Sequence, residues 1–110
     1  MVSITELGAL DIRIGRIVAV EDLEGAIKPI YKLKVDLGEE LGIREIAAGI
    51  KNTYPKEALM NKSVVVIANL DPKKIANFIS QGMLLAAGDD EASISLLQPD
   101  NDVKPGTKVR

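Results

Sequence analysis

Alternation of apolar and polar positions dominates the first half of the chain. Residues 11–20 read as a long strand in which Ile12 and Ile14 flank Arg13, and the parity then slips at Gly15. A glycine at a slip in a strand pattern predicts a bulge, which would bring Arg13 and Arg16 to one face despite their odd spacing. A long strand bent at a glycine is what a small closed barrel needs, because one strand must serve two sides of it. Residues 21–29 read as a loop from their Gly and Pro content. In residues 30–37, Tyr31, Leu33, Val35 and Leu37 share one parity, while Lys32, Lys34 and Asp36 take the other, predicting a half-buried strand. A turn at 38–42 leads into a third strand at 43–50, placed to pair with the second as a hairpin.

The pattern then changes. Thr53-Tyr54-Pro55 precedes a helix-forming run, so one or two helical turns are expected before residue 61. Ser63 to Ala68 and Gly82 to Ala87 are too continuously apolar for half-exposed strands, which places both in the core. Ser3 with Glu6 three positions on predicts a capped helical turn at the start. An acidic turn at 88–91, a short strand at 94–97 and turns at 98–100 and 105–107 complete the chain. The expected architecture is all-β and a single domain over 1–110. The order fits a five-stranded OB-fold barrel with a short helix between strands three and four and a C-terminal extension, and on pattern alone an unrelated small β-barrel stays open.

Composition narrows the chemistry. With no cysteine and no histidine there is no disulfide, no thiolate nucleophile and no histidine general base or metal ligand. A hydrolase triad and a zinc site are thereby disfavoured, and the chain reads as no enzyme, with no cofactor. No apolar run approaches the roughly 20 residues of a membrane helix, and the start lacks a signal-peptide pattern, so a cytoplasmic protein is expected. The net charge of −2 is unevenly spread. Residues 43–88 carry Arg44, Lys51, Lys56, Lys62, Lys73 and Lys74 against Glu45, Glu57 and Asp71, a local excess of positive charge that could attract a polyanion.

The stretch Ser63 to Ala87 joins its two apolar runs through a basic, polar loop with Lys73 and Lys74 side by side. An OB-fold binds oligonucleotides across strands two and three and the loops after strands one and four. That face offers Lys32, Lys34 and Arg44, and the loop adds Asn69, Lys73, Lys74, Ser80 and Gln81, with Met83 at the following strand's entrance. Lysines neutralise phosphates without reading sequence, and Asn69, Ser80 and Gln81 can address a ribose hydroxyl or base edge. The Met83 thioether can lie against a base. Tyr31, Tyr54 and Phe78 are the aromatic residues, and Tyr31 sits on the buried parity, leaving Phe78 and Tyr54. So few stacking platforms favour recognition of a folded RNA by shape and backbone over single-strand coating.

Four motifs carry a resemblance: LDIRIGRIVAVED at 10–22, KLKVDLG at 32–38, VVVIANLDPKKI at 64–75 and SQGMLLAA at 80–87. Through them the chain resembles the tRNA-binding domain found at the C-terminus of methionyl-tRNA synthetases, in free-standing tRNA-binding proteins and in endothelial monocyte-activating polypeptide II. The segments EGAIKPIYKL, GIREIAAGIKNTY and LLQPDNDVKPGTKV are similar to the CsaA-type chaperones. Residues 23–29 stand where many tRNA-binding members carry a His-Pro-Asn-Ala-Asp-like run. The resemblance implies an OB-fold that binds tRNA, free-standing or in trans with an aminoacyl-tRNA synthetase, methionyl first among them. Its alternative implication is a chaperone for unfolded polypeptide. Residues 1–5 with Ile94, Leu96, Leu97, Val103 and Val109 lack an obvious cover, which points to a homodimer.

Overall fold

One strand organises the fold, and it changes partner midway. In the computed structural model, which describes residues 1–90 and 92–110, strand β1 (Ile12–Asp22) pairs antiparallel with β4 (Ser63–Ile67) over Ile12 to Arg16. From Arg16 onward it pairs with β2 (Tyr31–Asp36), which pairs in turn with β3 (Ile43–Ala48). The sheet order is β3-β2-β1-β4-β7, with β7 at Met83–Leu84. This is the expected five-stranded OB-type barrel, with the one-turn helix α3 (Lys56–Leu59) between β3 and β4. The helix α1 (Ile4–Leu7) begins at the expected Ser3 and closes a reciprocal capping box with Glu6. A further single turn, α2 (Gly38–Leu41), fills the connection between β2 and β3.

The bulge falls at Val18, between Ile17 and Ala19, and not at Gly15. It lies just past the partner change at Arg16, where the strand has to bend from one side of the barrel to the other. Gly15 is needed for a different reason. A Cβ there would sit 2.6 Å from Val35 Cγ1 and 2.9 Å from Leu37 Cδ2, so the close approach of β1 to the β2 side chains leaves no room for one. Arg13 and Arg16 instead share a destination, the C-terminal segment: Arg13 donates to the Gly106 carbonyl at 3.1 Å and Arg16 to Asp102 at 3.2 Å.

That segment covers the edge of β1 which β2 leaves open. Ile14 donates to Thr107 at 2.9 Å, Gly106 to Ile14 at 2.7 Å and Val109 to Ile12 at 2.8 Å. An uncovered edge would be a template for pairing with another chain. The Arg13 guanidinium is buried where the cover begins, 2.6 Å from Asp11 and 3.3 Å from Glu40.

The core follows the sequence parities. Ile17, Leu33, Val35, Leu37, Ile46, Val64 and Val66 are fully enclosed, and Leu59 of α3 plugs the barrel. Each such side chain contributes about 1.5–3 kcal/mol through removal from water. The strand expected in the core at 82–87 is split and mostly outside it: Leu84 is buried, whereas Met83, Ala86 and Ala87 are exposed. After β7 the chain forms β8 (Ala86–Ala87), which pairs with β9 (Ser95–Leu96). Leu96 is buried and Ile94 packs on the core, so the uncovered apolar set is smaller than the sequence suggests. The acidic residue Glu91 of the expected 88–91 turn lies outside the described residues.

Candidate nucleic-acid interface

The connection between β4 and β7 is a β-hairpin, not an irregular loop. Strands β5 (Lys73–Ile75) and β6 (Phe78–Ser80) pair with Lys73 opposite Ser80, Lys74 opposite Ile79 and Ile75 opposite Phe78. The hairpin forms a two-stranded sheet of its own. It is fixed to β3 by two hydrogen bonds: Ala47 N–H donates to Ser80 Oγ at 2.9 Å, and Gln81 N–H to the Glu45 carbonyl at 2.9 Å. These close the gap between β3 and β7. Gly82 follows with φ of 137°, where an added Cβ would lie 3.0 Å from the Ile67 carbonyl oxygen. The Ser-Gln-Gly-Met run is therefore the seam of the barrel.

Strand β5 of the hairpin carries unpaired charge. Lys73 and Lys74 are exposed, and neither has an ion-pair partner among the described residues. Lys28, in the loop between β1 and β2, is in the same state. The sequence signal for it was its place in the first of the two loops that OB-folds use for contact. Gln81 is exposed, and Met83 is 46% exposed at the mouth of a recess of about 190 Å³. Ala47, Ala48, Gly49, Ile50, Leu84, Ala86, Ile94 and Leu96 line the rest of that recess.

The remaining candidates are tied into the framework. Lys32 lies 3.0 Å from Glu45 and 3.9 Å from Glu21, and its ammonium sits 5.3 Å from the centre of the Phe78 ring. The Glu45 hydrogen bond holds the Lys32 ammonium above its ordinary pKa. Lys34 also reaches Glu21, at 3.9 Å, and stays nearly half exposed. The Arg44 guanidinium donates to the Ala68 carbonyl. Asn69 binds the N-terminal lead-in on both sides: its Nδ2 donates to the Ala9 carbonyl at 2.8 Å, and its Oδ1 accepts from Asp11 N–H at 2.8 Å. Ser80 is buried, with its hydroxyl also donating to the Gly82 carbonyl at 3.3 Å.

Phe78, expected to be available for stacking, is buried beneath Lys32. It is apolar and sits on the inward parity of β6, so it anchors the hairpin instead. The Tyr54 hydroxyl accepts from Leu96 N–H at 3.0 Å and the Tyr31 hydroxyl donates to the Tyr54 carbonyl at 2.9 Å, which ties β2 to β9. On the far side of the loop, Asp22 is clamped between Lys51 at 3.0 Å and Lys56 at 2.9 Å. Both lysines were counted in the basic excess, and their charge is spent locally.

The fold is that of the small OB-type barrels, a class that includes oligonucleotide-binding domains. The family described as "Putative tRNA binding domain" matches residues 12–108, and the chain belongs to it. It is 52% identical over 109 residues to a methionine–tRNA ligase of Pyrococcus furiosus and 47% identical over 109 residues to that of Methanocaldococcus jannaschii. Each alignment covers 99% of this chain, which spans only 14% and 16% of those ligases. Among solved structures, the CsaA chaperone protein from Picrophilus torridus superposes with a TM-score of 0.91 at 40% identity, covering both chains in full. A MetRS-related protein from Pyrococcus horikoshii gives 0.88 at 29% identity, covering 100% of this chain and 98% of its own. No helix among the described residues is long and apolar enough to cross a membrane.

Proposed function

We propose that the domain binds tRNA through the β5–β6 hairpin and the β1–β2 loop, by shape and backbone, and adds no catalysis or cofactor of its own. It works free-standing or in trans with an aminoacyl-tRNA synthetase, methionyl above all, in the cytoplasm. The carrying observation is the pair Lys73 and Lys74, exposed and unpaired among the described residues, on a hairpin that the barrel seam holds in place. Lys28, Lys34, Gln81 and Met83 complete the contact set. Lys32, Arg44, Asn69 and Ser80 supply its framework. Family membership supports the ligand.

The test is a tRNA titration at several salt concentrations with Lys73→Glu/Lys74→Glu. Each lost phosphate contact lowers the slope of log affinity against log salt by about 0.7–0.9. Folding stability should move by no more than about 0.5 kcal/mol, because the charges are exposed. Wild-type affinity and slope in the variant would remove the hairpin from the site.

A second reading is favoured by the aliphatic recess beside Met83 and by the CsaA likeness: a chaperone that holds apolar side chains of unfolded polypeptide. Apolar peptides would then bind at full strength in the double-lysine variant and lose affinity in Met83→Glu.

The domain is further proposed to be a homodimer. Met1, Val2, Ile4, Leu7, Leu10, Leu97 and Val109 remain exposed. Several of them border a groove of about 590 Å³ between α1 and the C-terminal segment.

A further inference from the structure

We infer that Lys32 is a positioning residue: its ammonium, set between the Phe78 ring and the Glu45 carboxylate, latches the β5–β6 hairpin to the barrel and so fixes where Lys73 and Lys74 stand. The functional half of this inference rests on the tRNA reading above.

A hairpin of two three-residue strands is not stable alone in water. Its turn includes Ala76 at φ of 51°, an unfavourable setting for a residue with a Cβ. The hairpin must therefore be held from outside. The holds named so far, at Ser80 and Gln81, both act on its trailing end. Phe78 is the hold nearest the turn, and Lys32 covers it at 5.3 Å. A cation over an aromatic face is attracted to it, more strongly when partly desolvated, and the Lys32 side chain is only 24% exposed. Glu45 fixes the ammonium at 3.0 Å, and the Glu45 carbonyl accepts from Gln81 N–H. One residue of β3 thus anchors the latch and the trailing end together.

Charge balance points the same way. Lys32 is held by Glu45 at 3.0 Å and Glu21 at 3.9 Å, which leaves its ammonium less available to a phosphate than an unpaired one. Two unpaired lysines, Lys73 and Lys74, lie on the hairpin that the latch holds.

The experiment is amide hydrogen exchange over residues 73–80 in the free protein, with tRNA titrations across salt, for Lys32→Met, Lys32→Arg and Glu45→Gln. Lys32→Met keeps an apolar stem of similar length and removes the charge. The latch predicts exchange about tenfold faster across the hairpin in Lys32→Met and Glu45→Gln, near wild-type exchange in Lys32→Arg, and global stability little changed. It also predicts weaker tRNA binding in Lys32→Met at an unchanged salt slope. A fall in slope by about 0.7–0.9 would make Lys32 a direct phosphate contact and overturn the inference. Wild-type exchange in both Lys32→Met and Glu45→Gln would overturn it as well. Wild-type protein that fails to bind tRNA would overturn the tRNA reading, while the exchange measurement still decides the latch by itself.

Discussion

Gly15 and Val35 are in such close apposition that a Cβ at position 15 would come within 2.6 Å of Val35 Cγ1. Both lie at the crossing where β1 leaves β4 for β2, and Val35 is fully buried. Neither neighbour can yield cheaply, because Val35 and Leu37 are core residues packed on all sides.

Gly15→Val should therefore destabilise the domain by about 1–3 kcal/mol or more, the usual range for overpacking a core. Gly49 provides the contrast: a Cβ there meets nothing within 4 Å, so Gly49→Ala should be neutral or slightly stabilising. Denaturant unfolding of the two variants checks this. Equal midpoints would remove the close approach as the reason for glycine at position 15.

The strands were legible because half-burial writes a period of two into residues 31–37 and continuous burial writes an unbroken apolar run into 64–68. The bulge was misplaced because the sequence cue was the glycine, whereas the bend follows the change of strand partner at Arg16, a tertiary event. The hairpin is not legible as strands because its three-residue strands are too short to show a period, and Ile79 points outward. The structural bonds of Ser80 and Asn69 were not legible for a related reason. Their partners stand 33 and as many as 60 residues away, at Ala47 and Ala9. Lys73 and Lys74 were legible because an exposed charge depends on little beyond its own loop.

Arg13 fastens the C-terminal segment to the barrel through Asp11, Glu40 and the Gly106 carbonyl. Asp11 and Glu40 keep access to water, so loss of the arginine does not strand a buried charge. Arg13→Met should cost about 1–3 kcal/mol, mainly by leaving the Gly106 carbonyl short of a donor. Limited proteolysis should then cut after position 100 before the barrel unfolds. Simultaneous loss of segment and barrel would show that the cover is no separate unit.

Asp22 gives a pH dependence with a definite sign. Lys56 first and Lys51 second hold its carboxyl below the ordinary 3.8. A depressed folded pKa contributes stability above the unfolded value and loses it as pH falls through the folded one. The contribution is thus present near neutrality and fades below about pH 4. Asp22→Asn should be less stable than wild type at about pH 7 and equal to it at about pH 2, measured by urea unfolding at each pH. A gap that persists in acid would assign the loss to packing, not charge.

The groove between α1 and the C-terminal segment bears on assembly. Ile4 is 82% exposed and Leu7, Leu10 and Val109 lie beside the same groove of about 590 Å³. Exposed apolar side chains gathered on one patch are costly in water, and a self-complementary patch around a two-fold axis covers them at once. The patch is built on α1 and residues 108–110, whereas the free lysines are on the β5–β6 hairpin. Dimerisation should therefore be separable from tRNA binding. Light scattering at micromolar concentration should give twice the 11.8 kDa chain mass for wild type and a single mass for Ile4→Glu/Leu7→Glu. The capping box of Ser3 and Glu6 remains in that variant, so α1 should stay formed. A wild-type mass of one chain would refute the dimer and leave this groove to another partner.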